Sequence, residues 1–68
     1  MPKYYVNKNA QVNGDHEVHK EGCRHMPITT ERVYVGDFPK CTSAVLRAKK
    51  IYKTADGCRN CSRPCHER

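Results

Sequence analysis

Two short runs in this chain carry side chains that ligate metals. In Gly57-Cys58-Arg59-Asn60-Cys61, two thiols sit on a polar, glycine-led turn; in His19-Lys20-Glu21-Gly22-Cys23, an imidazole stands close before a third thiol. Thiolate sulfur and neutral imidazole nitrogen are the donors zinc takes in closed four-coordinate sites, and C-x-x-C lets both sulfurs reach one ion from a tight turn. His19, Cys23, Cys58 and Cys61 therefore read as one zinc site in two knuckles. Cys65, His66, His25 and Cys41 compete with His19 for the fourth position. The other chemistry open to these residues is thiol redox or thiol transfer, using Cys58/Cys61 or Cys65. A thioredoxin-like C-x-x-C needs a βαβ framework for which 68 residues are too few. Cys65 beside His66 lies in a terminal tail with nothing to orient it. A zinc ion with four protein ligands keeps no position for a water, and Asp15-His16-Glu17 are neighbours in sequence rather than in a catalytic geometry, so no enzyme is expected.

Size explains why such a site is needed. One domain is the upper limit for 68 residues, of which 37% are hydrophobic, with one Phe and no Trp. A single core of this size supplies about 3–5 kcal/mol, so a staple is expected. Five cysteines cannot all pair within one chain. Met1-Pro2-Lys3-Tyr4-Tyr5-Val6 carries no apolar signal-type segment, and no apolar run approaches a membrane span. These features point to a monomer in a reducing, cytoplasmic setting without membrane contact, where cysteines serve as ligands or reactive thiols.

The elements that must position the ligands are read as a small α+β domain over residues 1–62 with a short tail over 63–68. Residues 3–8 favour a strand, Asn13-Gly14 signals a type I′ hairpin turn, and residues 15–20 return as the second strand with Val18 inward and His19 at its end. Residues 24–31 read as a loop and 32–36 as a third short strand. Phe38, Cys41, Ala44, Val45, Ala48, Ile51 and Tyr52 then recur at helical spacing, predicting a helix over about 38–53 with Asp37 as its N-cap. Cys41 on this face is read as a small buried hydrophobe. Asp56-Gly57 ends the helix and opens the second knuckle.

The formal charge is +6, and three ligating thiolates plus a divalent ion change it by only about −1. A basic balance favours acidic partners, nucleic acid (DNA) first, with a protein partner as the other class. Lys20 and Arg24 flank the first knuckle, Arg59 and Arg63 the second, and Arg47 and Lys50 lie on the polar side of the helix. These six are the candidate phosphate contacts. Tyr4, Tyr5, Tyr34 and Tyr52 are candidates for base stacking.

The run Val18-His19-Lys20-Glu21-Gly22-Cys23-Arg24, then Arg32-Val33-Tyr34-Val35, an alanine-containing helix, and Gly57-Cys58-Arg59-Asn60-Cys61 resembles the metal-binding domain of the Ada DNA-repair protein and related small bacterial zinc modules. The resemblance implies a small α+β zinc domain that touches DNA. It also implies a difference in chemistry: the position matching Ada's methyl-accepting cysteine is His19, so methyl transfer does not carry over and the zinc is structural.

Overall fold

The structure, a computed structural model, describes residues 1–67. Arg68, the last residue of the expected tail, lies outside the described residues. The chain forms a four-stranded sheet crossed by one helix. Strands β1 (Lys3–Asn7), β2 (His16–Lys20) and β3 (Arg32–Asp37) are followed by helix α1 (Cys41–Ala48) and a short strand, β4 (Ala55–Gly57). The sheet order is β3-β1-β2-β4; β1 pairs antiparallel with β2 and β3, and β4 pairs parallel with β2.

Alternation along β1 explains which face α1 covers. Tyr4 and Val6 are buried, and Val6 stands opposite Val18 of β2. Val35, Cys41, Ala44, Val45, Ala48 and Ala55 complete this core. The small side chains of α1 let the helix approach the sheet closely. Residues directly opposite in an antiparallel pair share a face, so the pairing of Tyr5 with His19 puts His19 on the other side of β2 from Val18.

Four expectations are corrected. The helix is shorter than 38–53 because Lys40 is still extended and Phe38 N–H donates to the Pro2 carbonyl. At its other end, Lys50 and Ile51 bond only three residues back and tighten the last turn. Asp37 ends β3 rather than capping the helix, and Lys40 stands at the cap without a side-chain bond. Ile51 is exposed. The loop after β1 does turn at Asn13-Gly14, but only Gly14 has positive φ, at 90°. Asn13 instead accepts the Asp15 N–H through Oδ1 at 2.9 Å, an Asx turn in place of type I′.

Asp56-Gly57, expected to be a helix stop, lies in β4, whose three residues are all buried. Gly57 is there because the chain folds back on it. A Cβ at this position would lie 2.7 Å from the Ser62 carbonyl oxygen and 2.8 Å from backbone and Cβ atoms of Cys65. This close approach seats the 3-10 turn Arg63–Cys65 against β4.

Among the described residues, no helix is long and apolar enough to cross a membrane.

Candidate metal centre

Strand β2 ends where β4 gives way to the second knuckle, and this is where the ligands meet. Because β2 and β4 run parallel, with Val18 beside Gly57, His19 and Cys58 follow these two residues side by side. Cys58 N–H donates to the Val18 carbonyl at 3.0 Å and extends the ladder by one bond into the knuckle. Cys23 is brought round by a tight turn in which its N–H donates to the Lys20 carbonyl at 3.1 Å, with Gly22 at φ 90°. One ligand atom from each of His19, Cys23, Cys58 and Cys61 lies within 4.8 Å of the other three. This group could hold a metal ion.

The distances suit a tetrahedral site. Metal–sulfur bonds of about 2.3 Å at tetrahedral angles put sulfurs about 3.8 Å apart; Cys23 Sγ and Cys58 Sγ are 3.9 Å apart. Cys61 Sγ is 4.0 Å from His19 Nδ1. The three cysteines are free thiols rather than a disulfide.

The backbone around the sulfurs is arranged for thiolates. Cys61 Sγ accepts the Lys20 N–H at 3.1 Å, Cys23 Sγ accepts the His25 N–H at 3.4 Å, and Cys58 Sγ accepts the Asn60 N–H at 3.4 Å. A donor aimed at each sulfur favours its charged, ligating form. His19 and Cys58 are almost wholly buried. Burial pushes the His19 imidazole below its ordinary value, against an opposing pull from Glu17, and pushes the Cys58 thiol up.

These directions fix the sign of the pH dependence. A lowered histidine favours the fold above its ordinary value near 6.5, and that contribution is lost as pH falls. A neutral imidazole needs no deprotonation to ligate, whereas the Cys58 thiol must lose its proton to solvent before its thiolate can bind a metal. Acid therefore opposes the site twice. Lowering the pH from about 7 to about 5 is expected to release the metal, with affinity falling by up to about tenfold per pH unit for each thiol proton displaced. Cobalt-substituted protein, read by its thiolate charge-transfer absorption, measures this; absence of that band at about pH 7 would show that the thiols do not ligate, and a band unchanged down to about pH 5 would refute the acid sensitivity.

Glu17, weighed in the sequence only as part of the adjacent run Asp15-His16-Glu17, stands beside this centre. It lies two residues before His19 on the same face of β2, with Oε1 3.5 Å from His19 Nε2. Nε2 is buried and, among the described residues, has no hydrogen-bond partner. If Nδ1, the nitrogen facing Cys61, binds the metal, Nε2 must carry the proton, and the Glu17 carboxylate is placed to accept it. Such partners orient a ligating ring, and their loss typically lowers affinity by about 10–100-fold. Glu17→Gln is expected to weaken metal binding within that range while keeping one metal per chain. Competition with a chromophoric chelator would reveal it, and unchanged affinity would remove Glu17 from the site.

Of the competing fourth ligands, none joins the cluster. His25 contributes its N–H to Cys23 but is exposed. His66 Nδ1 lies 3.0 Å from the Gly57 carbonyl oxygen and 3.3 Å from Asp56 Oδ2. Cys41 and Cys65 are bonded to each other as a disulfide. Cys41 is buried in the core as read, but as half of a cross-link rather than a free thiol. The bond also gives Cys65 a fixed place: it anchors the Arg63–Cys65 turn to the start of α1. The pairing had no spacing signal, since 24 residues separate its halves.

Lys20, Arg24, Arg47, Lys50, Arg59 and Arg63 are all exposed. Tyr4 is buried in the core, and Tyr52 stacks on His16 with ring centroids 3.8 Å apart. Tyr5 and Tyr34 adjoin on the other sheet face, centroids 5.5 Å apart, with the Arg32 guanidinium 4.5 Å from the Tyr5 ring.

No family model matches the chain, and neither a curated protein nor a solved structure matches it.

Proposed function

We propose that this chain is a small, non-catalytic module stabilised by one structural zinc ion and binding nucleic acid through its basic surface. The observation that carries the zinc assignment is the set of three thiols and one imidazole converging on one point, with a backbone N–H directed at each sulfur. Three sulfurs and one nitrogen in a closed tetrahedron are a structural-zinc donor set, and four protein ligands keep no place for a substrate. The net charge of +6 and the exposed arginines beside the centre support an anionic partner. The same ligand order supports the likeness to Ada-type domains, with His19 in place of a methyl-accepting thiol. A monomer belongs to the same proposal, whereas the Cys41–Cys65 disulfide argues against the reducing, cytoplasmic setting expected from the sequence.

Native mass spectrometry with and without chelator tests the first half, with one zinc per chain expected. Salt-dependent binding to DNA and RNA by the zinc-loaded protein tests the second. Absence of any binding at low salt would leave a protein partner as the other occupant of this surface.

The thiol-redox reading is favoured by one observation, the Cys41–Cys65 disulfide. Its carrier would be that pair, since Cys58 and Cys61 belong to the metal cluster. Reversible reduction of Cys41–Cys65 by a thioredoxin or glutathione couple, with zinc retained, is the result that would establish it.

A further inference from the structure

We infer that the cleft lined by Arg59, Asn60, Arg63 and His66 is a phosphate-oxyanion site. It rests on the nucleic-acid reading above and names where on the surface a backbone phosphate is held. The cleft measures about 460 Å³ and is bounded by residues of the second knuckle and of the 3-10 turn that follows it. Arg59 and Arg63 are exposed and, among the described residues, have no ion-pair partner. Two unpaired guanidiniums on one concavity can each offer forked N–H donors to phosphate oxygens, and the Asn60 amide adds further donor capacity.

The backbone beneath the cleft is tied down before any ligand arrives. Arg59 lies between the two sulfurs of the C-x-x-C turn, so a metal on Cys58 and Cys61 holds its backbone from both sides. Arg63 begins the turn whose last residue, Cys65, is bonded to Cys41. His66 is held through Nδ1 by the Gly57 carbonyl and Asp56. Glu67 N–H donates to the Asp56 carboxylate at 3.0 Å, tying down the chain beyond it. Ordering that is completed in folding is not charged against binding. The competing role for these arginines is to offset the negative charge that three thiolates leave around a divalent ion. That role requires them for metal affinity, whereas an oxyanion site does not.

The test compares zinc-loaded native protein with the double variant Arg59→Gln/Arg63→Gln. A charge-matched control, Lys8→Gln/Lys53→Gln, removes two charges near the other end of the sheet, beside Asn7 and the start of β4. Fluorescence anisotropy with labelled duplex and single-stranded DNA at several salt concentrations reads affinity, and amide chemical shifts with added pyrophosphate read a free anion. Supporting results are a loss of about tenfold or more in the arginine variant, little change in the control, and a salt slope reduced by about 2. Equal losses in the two variants would overturn the cleft and leave nucleic-acid binding standing. Loss of zinc from the arginine variant would also overturn it, by assigning the arginines to the metal. If no nucleic acid binds but pyrophosphate shifts the amides of residues 59–66, the site stands and the nucleic-acid reading falls. If neither probe binds, both fall.

Discussion

Removing the metal is expected to unfold this protein. The described core contains nine buried side chains, three of them alanines, and a core in a chain of this length supplies only about 3–5 kcal/mol. A structural zinc in a small peptide contributes about 10–16 kcal/mol of apparent binding energy at neutral pH, and in such domains that energy is folding energy. The placement of the ligands makes the dependence direct. His19 lies one residue before the end of β2, Cys58 continues β4, and Cys23 closes the turn between β2 and the loop that leads to β3. An ion held by this group would tie these segments together. Chelation should abolish the far-UV circular dichroism of the strands and helix, and zinc should restore it. Cys58→Ser should behave as the chelated protein does, because Cys58 is both a ligand and 1% exposed. Full retention of the fold in excess chelator, with zinc shown to be gone, would refute the metal as the main staple.

The contrast between what could and could not be read in the sequence follows the range of the interactions. The knuckles were legible because ligand spacing is local chemistry: C-x-x-C and His-x-x-x-Cys announce themselves within five residues. Strands β1 to β3 were legible from Tyr and Val content and from Gly14. β4 was not. Ala-Asp-Gly is depleted in strands generally, and it becomes one here because the free edge of β2 offers a ladder and Gly57 admits a backbone that only glycine can admit. The helix ends were misplaced for a related reason: Phe38 and Tyr52 do pack against the core, but from flanking turns rather than helical positions. Glu17 was passed over as an exposed strand residue because its significance depends on the buried Nε2 of His19, which no pattern of residue types reports.

Breaking the Cys41–Cys65 bond is expected to have the second-largest effect, and one distinct from loss of the metal. A cross-link spanning 24 residues restricts the unfolded chain by about 3.5 kcal/mol in the loop-entropy treatment. In a domain of this size that corresponds to a fall of roughly 15–25 °C in midpoint temperature. The folded state should nevertheless survive at room temperature with zinc bound, because neither cysteine is in the ligand cluster. Its first local consequence should be release of the chain after Ser62. The disulfide, the His66–Gly57 bond, the Asp56 contacts and the close packing on Gly57 hold the Arg63–Cys65 turn and His66–Glu67 against β4 and the start of α1. Amide exchange at Cys65, His66 and Glu67 should therefore quicken well before exchange in β1 and β2. Cys65→Ala isolates the cross-link, since Cys41→Ala would also remove a buried sulfur from the core. A zinc-loaded Cys65→Ala protein as heat-stable as the oxidised native chain would show that the bond contributes nothing to the fold. The two staples are then expected to separate: a bound metal would decide whether the sheet forms, and the disulfide whether Arg63 and His66 stay beside Arg59.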